Sequence, residues 1–151
     1  MQLQWECLPF NELTNQQLYS ILQLRNQVFV VEQNCPYQDA DDKDQKSYHL
    51  LGMMGNDLAA YARLLPKGVS YEFPSIGRVV TSPKYRRSGA GVALMKEAIQ
   101  RCNALFGKQP IKIGAQLYLK QFYGSLGFSQ TSEMYLEDDI EHIEMLREAD
   151  N

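Results

Sequence analysis

Apolar and polar residues alternate at the start of the chain. Leu3, Trp5 and Cys7 sit between polar neighbours, so residues 2 to 8 predict a strand, which Pro9 and Asn11 break. Thr14-Asn15-Gln16-Gln17 has the capping-box pattern, a hydroxyl at a helix start and a glutamine three positions on. Leu18, Ile21, Leu22, Arg25, Val28 and Phe29 follow at helical spacing. They predict one long helix ending near Gln33, with Pro36 closing the region. Residues 35 to 46, CPYQDADDKDQK, read as a polar loop. Two apolar segments, residues 47 to 54 and 58 to 65, are joined by Gly55-Asn56-Asp57 and predict a hairpin. After the turn Pro66-Lys67-Gly68, residues 76 to 81 are β-branched and apolar, the pattern of a buried strand.

Helical spacing returns further on. Ala90, Leu94, Ala98 and Cys102 share one side with Met95, Ile99 and Leu105 beside them, and Gly107 ends the helix. Ile111-Lys112-Ile113 predicts a short strand, and residues 117 to 126 a short amphipathic helix stopped by Gly127. Strand patterns close the chain from Phe128, at 134 to 136 and at 142 to 147. There is no repeat, low-complexity tract or linker, so residues 1 to 151 predict one α/β (α+β) domain. Its mixed sheet would be mostly antiparallel, with helices inserted between strands.

Composition narrows the classes. The 151 residues are 44% hydrophobic, enough to bury a core without staples. A net charge of -3 argues against nucleic acid or an anionic membrane as partner. The cysteines are Cys7, Cys35 and Cys102, a sparse odd set that suits a reducing compartment rather than a disulfide framework. No leader pattern opens the sequence, and no apolar run approaches the roughly 18 residues of a membrane span. The expectation is a soluble cytoplasmic domain.

The stretch SPKYRRSGAGVALM, residues 82 to 95, changes the picture. A strand delivers the chain to a basic turn with Lys84, Arg86 and Arg87, then to Gly89-Ala90-Gly91 and a helix. The first N–H groups of a helix lack internal partners and carry the positive end of its dipole. Glycines let the backbone approach a ligand closely. Together these features form a cradle for pyrophosphate. A dinucleotide fingerprint requires a third glycine where Leu94 stands, and a P-loop requires a hydroxyl that Gly107-Lys108-Gln109 lacks.

Arg86-x-x-Gly89-x-Gly91 resembles the acyl-CoA pyrophosphate motif (Gln/Arg-x-x-Gly-x-Gly/Ala) of the GNAT superfamily of N-acetyltransferases. FYGSLGF, residues 122 to 128, resembles that superfamily's second motif, a helix with a tyrosine ending at Gly-Phe. Within the superfamily the chain is most similar to the ElaA-like acetyltransferases. RNQVFVVEQNCPYQDAD (25 to 41), GRVVTSP (77 to 83), the glycine turn and YLEDDIEHIEM (135 to 145) carry that likeness in order. Two positions depart from the common pattern. Thr81 stands where an aliphatic residue is usual, and Gly114 where a larger residue is expected on the strand that splays.

The resemblance implies a GNAT fold, acetyl-CoA as co-substrate, no metal, and direct attack by a primary amine on the thioester. The acceptor stays open among small amines, polyamines, amino acids and protein N-termini. Val79, Val80 and Thr81 would lie along the pantetheine arm, with the amides of Val79 and Thr81 facing it. Arg86, Arg87, Ser88, Gly89, Ala90 and Gly91 would hold the pyrophosphate. Tyr123 matches the general-acid tyrosine. Glu32 and His142 are both candidates for the base, since one borders the acceptor side and the other has the intrinsic pKa of a proton shuttle. Each has a structural reading too: a half-buried aromatic, a solvated helix end, a strand histidine.

Asp39, Asp41, Asp42 and Asp44 fail as an EF-hand and read as a solvated acidic loop, with attraction of a cationic acceptor as the functional alternative. Cys35 reads as an idle thiol, and Cys7 and Cys102 as core. A catalytically silent acyl-CoA sensor of the same fold is the competing function. A homodimer would be an analogy with other such folds only.

Overall fold

The computed structural model describes residues 2–151. Strands β1 (Gln4–Pro9), β2 (Tyr48–Met54), β3 (Asp57–Leu65), β4 (Ser75–Thr81), β5 (Ile111–Gln116), β6 (Phe128–Gln130), β7 (Tyr135–Glu137) and β8 (Ile140–Arg147) form one sheet. Its order is β1-β2-β3-β4-β5-β8-β6, and β7 pairs with β8 beyond β6. Every pairing is antiparallel except β4 with β5. This is the mixed, mostly antiparallel sheet that the alternation predicts.

Helices α1 (Asn15–Arg25), α2 (Ala90–Phe106) and α3 (Lys120–Gly124) cover the faces. α1 packs Ile21 and Leu24 on Leu51, Tyr61 and Val80. α2 packs Leu94, Met95, Ala98 and Cys102 on Leu50, Ala60, Ala62, Leu64, Ile76 and Ile113 from the opposite side. Successive residues of β2 and β3 therefore serve different layers, as the two-residue period of a strand requires. The capping box at Thr14 forms: Gln17 N–H donates to the Thr14 hydroxyl at 3.0 Å, and Thr14 N–H to Gln17 Oε1 at 2.9 Å.

Several boundaries differ from expectation. Pro9 lies within β1 as its last residue, paired with Tyr48 on this edge strand, where a missing N–H costs little. The long helix predicted to Gln33 is α-helical only to Arg25. Residues Asn26–Glu32 then widen to five-residue hydrogen bonding, as in Gln33 N–H to Val28 O at 3.1 Å. This stretch holds Val28, Val30 and Val31, which crowd a regular α-helix. Between 117 and 126 the chain makes a short turn, Leu117–Leu119, and only α3 as helix.

Candidate active site

β4 and β5 run parallel but share one register pair, Ser75 with Lys112. Past it they diverge and leave a cleft of about 820 Å³. Residues 75 to 81 form one wall and residues 113 to 116 the other. Tyr123 of α3 and Val28, Phe29 and Glu32 of the widened turns complete it.

β4 bends where the cleft opens. Tyr61 pairs with Val80 and Arg63 with Gly77, so Arg78 and Val79 together face Ala62 alone, a β-bulge. Arg78 takes a left-handed conformation with φ 48°. Val79 consequently has no strand partner on β3, and none on β5.

The acidic loop is only partly solvated: Asp42 is exposed as expected, but the other three aspartates turn inward. Asp39 and Asp44 are buried, and they and Asp41 interlock with three arginines. Arg25, fully buried, donates Nε–H to Asp39 at 2.7 Å and Nη1–H to Asp44 at 2.8 Å. Arg63 donates to Asp41 and Asp44, each at 2.8 Å. Arg78 Nε lies 2.8 Å from Asp39, and its Nη2–H donates to the Asp39 carbonyl at 3.0 Å. Burial alone would raise the Asp41 carboxyl; the Arg63 bonds and charge reverse that and hold it well below the ordinary range. Asp44 follows the same pattern with Arg25 and Arg63. Three of the loop's four aspartates are matched to three guanidinium groups, and Asp42 is exposed.

The glycine turn follows β4. Arg87 (φ 63°) and Gly89 (φ 83°) reverse the chain into α2. No side chain caps this helix, unlike α1, so its first amides have no protein side chain to satisfy them. A Cβ on Gly91 would stay 3.8 Å from Phe122, so packing within the protein does not demand that glycine; Gly91 lies on the cleft wall.

One cleft brings together Val79, Val80, Thr81, Arg86, Gly91, Tyr123, Glu32 and His142. Ser88 and Arg87 lie on the turn beside it, and Ala90 is buried. Two predicted residues occupy each other: Arg86 donates two hydrogen bonds to the Glu32 carboxylate, at 3.0 and 2.6 Å. Tyr123 is buried, and burial, with Tyr118 nearby, raises its phenol well above the ordinary tyrosine value, so it stays a neutral O–H donor. His142 lies 2.8 Å through Nδ1 from the Ile140 carbonyl. A carbonyl only accepts, so Nδ1 carries a proton, and Nε2 lies 3.5 Å from the Glu137 carboxylate. Cys35 is buried and directs its thiol to the Asp138 carbonyl at 3.4 Å.

Arg78, Tyr71, Gln33 and Gln116 also line the cleft and went unnoticed in the sequence. Gly114 was the available signal for Tyr71. A Cβ there would lie 2.9 Å from the Tyr71 hydroxyl and 3.2 Å from that of Tyr135. Nothing in the local sequence marks the bend at Arg78, because Gly77 beside it is the residue expected to take one.

Among the described residues no three His, Cys, Asp or Glu side chains gather as metal ligands, and no helix is long and apolar enough to cross a membrane. Residues 11–149 match the family model of the acetyltransferase (GNAT) domain. Protein ElaA of Escherichia coli K12 is 44% identical over 149 residues, 97% of each chain. The crystal structure of E. coli ElaA matches with a TM-score of 0.90 at 43% identity, covering 97% of this chain and 99% of that one. An acyl-CoA N-acyltransferase from Pseudomonas aeruginosa matches at 0.92 and 44%, covering 96% and 99%. An aminoglycoside 6'-N-acetyltransferase complexed with coenzyme A shares the fold alone, at 0.70 and 13% identity over 95% and 96%. With this sheet, this cleft and these relatives, the chain belongs to the GNAT acetyltransferase domain family.

Proposed function

We propose that the protein is an N-acetyltransferase that moves the acetyl group of acetyl-CoA to a primary amine. The observation that carries this is the parting of β4 from β5, with the uncapped start of α2 at the mouth of the cleft. A pantetheine arm can run between such strands, and a diphosphate is a fitting partner for free helix-start amides. Acetyl-CoA would supply a thioester carbonyl for attack.

The chain's own groups then divide the work. The Val79 amide, at the bulge on the cleft wall, would donate to the carbonyl oxygen as charge gathers there. The attacking amine must be neutral, although a lysine-like amine has a pKa of about 10.4. His142 is favoured over Glu32 as the base, because in a neutral ring whose Nδ1–H bonds the Ile140 carbonyl it is Nε2 that carries the lone pair, while both Glu32 oxygens rest on Arg86. As the C–N bond forms, the amine proton passes to Nε2. As the C–S bond breaks, Tyr123 O–H protonates the sulfur.

The test combines calorimetry with coenzyme A and thiol release from acetyl-CoA over an amine library. Binding with turnover supports the enzyme; binding without turnover across the library points to a silent sensor. Tyr123→Phe is expected to lower kcat by about 10² or more while coenzyme A still binds. Unchanged kcat at every pH removes Tyr123 as the acid.

A further inference from the structure

Arg78 has positive φ within β4, although a glycine stands next to it in the chain. A side chain in this region lowers a conformer's population roughly tenfold. Such an outlier persists only where its surroundings over-determine it. Here they do. The guanidinium reaches Asp39 through Nε at 2.8 Å, the Asp39 carbonyl at 3.0 Å and Asp41 at 3.3 Å. Those two acids are themselves fixed. Asp39 accepts from Arg25 at 2.7 Å and from the Tyr37 hydroxyl at 2.8 Å, and Asp41 from Arg63. Arg78 is thus tied to a loop that the body of the protein already holds.

We propose that Arg78 is a positioning residue. Its grip on Asp39 and Asp41 maintains the left-handed bend that leaves Val79 without a strand partner and facing the cleft. The bond network therefore makes one unit of two parts that sequence places far apart: the loop over residues 37 to 44 and the strand that would receive the acyl donor. Tyr37, whose ring lies 6.0 Å from the Arg78 guanidinium, lines the same cleft from the loop side. A shift of the loop would reach the Val79 amide through Arg78. This inference rests on the proposed acetyl-CoA site.

Glycine separates conformation from charge, since it adopts φ 48° without strain but makes no ion pair. Lysine keeps the charge but carries the strain and lacks the fork that spans two carboxylates. Coenzyme A affinity is measured by calorimetry on the parent chain and on R78A, R78K, R78G and D41N, with thermal melts to verify folding. R78A and R78K are expected to bind about tenfold more weakly, and R78G to recover to within about threefold of the parent. D41N, which removes one of the ties, should fall between.

Amide exchange at Val79 in the ligand-free proteins is the second readout. R78G should resemble the parent there, and R78A and R78K should not. A folded R78A with parental affinity overturns the proposal. So does R78K outperforming R78G, which would make the charge and not the bend the operative feature. If R78A does not fold, the contrast of R78K with R78G decides alone. If the parent takes up no coenzyme A, the acetyl-CoA reading fails, while the exchange comparison still decides whether Arg78 sets the Val79 amide.

Discussion

Glu32 and Arg86 hold each other through two hydrogen bonds at the edge of the cleft, each side chain about 40% exposed (43% and 40%). In the proposed complex a phosphate oxygen would meet the guanidinium that this carboxylate now holds. Ligand binding at the turn must compete with it. Exposed pairs of this kind are worth up to about 1 kcal/mol, so Glu32→Gln should tighten coenzyme A binding by about two- to fivefold in calorimetry. Looser binding would mean that the pair braces the site instead. Gly89 makes a different demand. At φ 83° a side chain is strained even though nothing stands within 4 Å of its Cβ position. Gly89→Ala is therefore expected to cost about 1 kcal/mol of stability in urea unfolding, from backbone strain and not from a clash. An alanine variant as stable as the parent would show that the turn relaxes.

The capping box of α1 was legible in four residues because its chemistry is local. Thr14 and Gln17 satisfy one another's amides whatever the rest of the fold does. Thr14→Ala should lower stability by about 1 kcal/mol without touching the cleft, and a loss of coenzyme A affinity in that variant would contradict the independence. The other end of the same helix was not legible. Helical spacing continues through Val28 and Phe29, yet the backbone widens from Asn26 to Glu32. Arg25, at the junction, is drawn wholly into the core by Asp39 and Asp44, residues 14 and 19 positions away. Sequence periodicity reports which residues face inward, and says little about how many residues each turn contains. The place of the glycine turn between β4 and α2 was legible for a local reason: strand, basic residues, glycines and helix follow one another in the chain.

Across the whole molecule, the buried ionic loop ties stability to pH. His49 is fully buried; its Nε2–H donates to the Asp44 carbonyl at 2.9 Å, and Tyr61 O–H donates to Nδ1 at 2.7 Å. Burial lowers its pKa from 6.5, only partly opposed by Asp44. The unfolded chain then binds a proton that the native one refuses, so this contribution is complete above pH 6.5 and declines as pH falls below it. Asp41 and Asp44 are held below 3.8, because the arginines outweigh the cost of burial. Their contribution is present above that value and is lost as pH falls through the lower folded-state values. Urea unfolding across pH should show two successive losses on acidification. In His49→Gln the upper one should vanish while the lower one remains; persistence of the upper loss would assign it elsewhere.

The sequence by itself determined the strands and helices in order, the glycine turn that opens α2, and the family through residues contiguous in the chain. Each of those properties depends on neighbours within a few positions, where spacing translates directly into geometry. Only the tertiary structure decided that most of the aspartates in the 35 to 46 loop are not a solvated patch. Three of them meet arginines from α1, β3 and β4, and opposite charges taken out of water must find one another through the fold. It also decided which strand bends and where. The Arg78 conformation is unfavourable locally and is maintained by contacts 37 and 39 residues away along the chain, and no pattern confined to residues 75 to 81 records them.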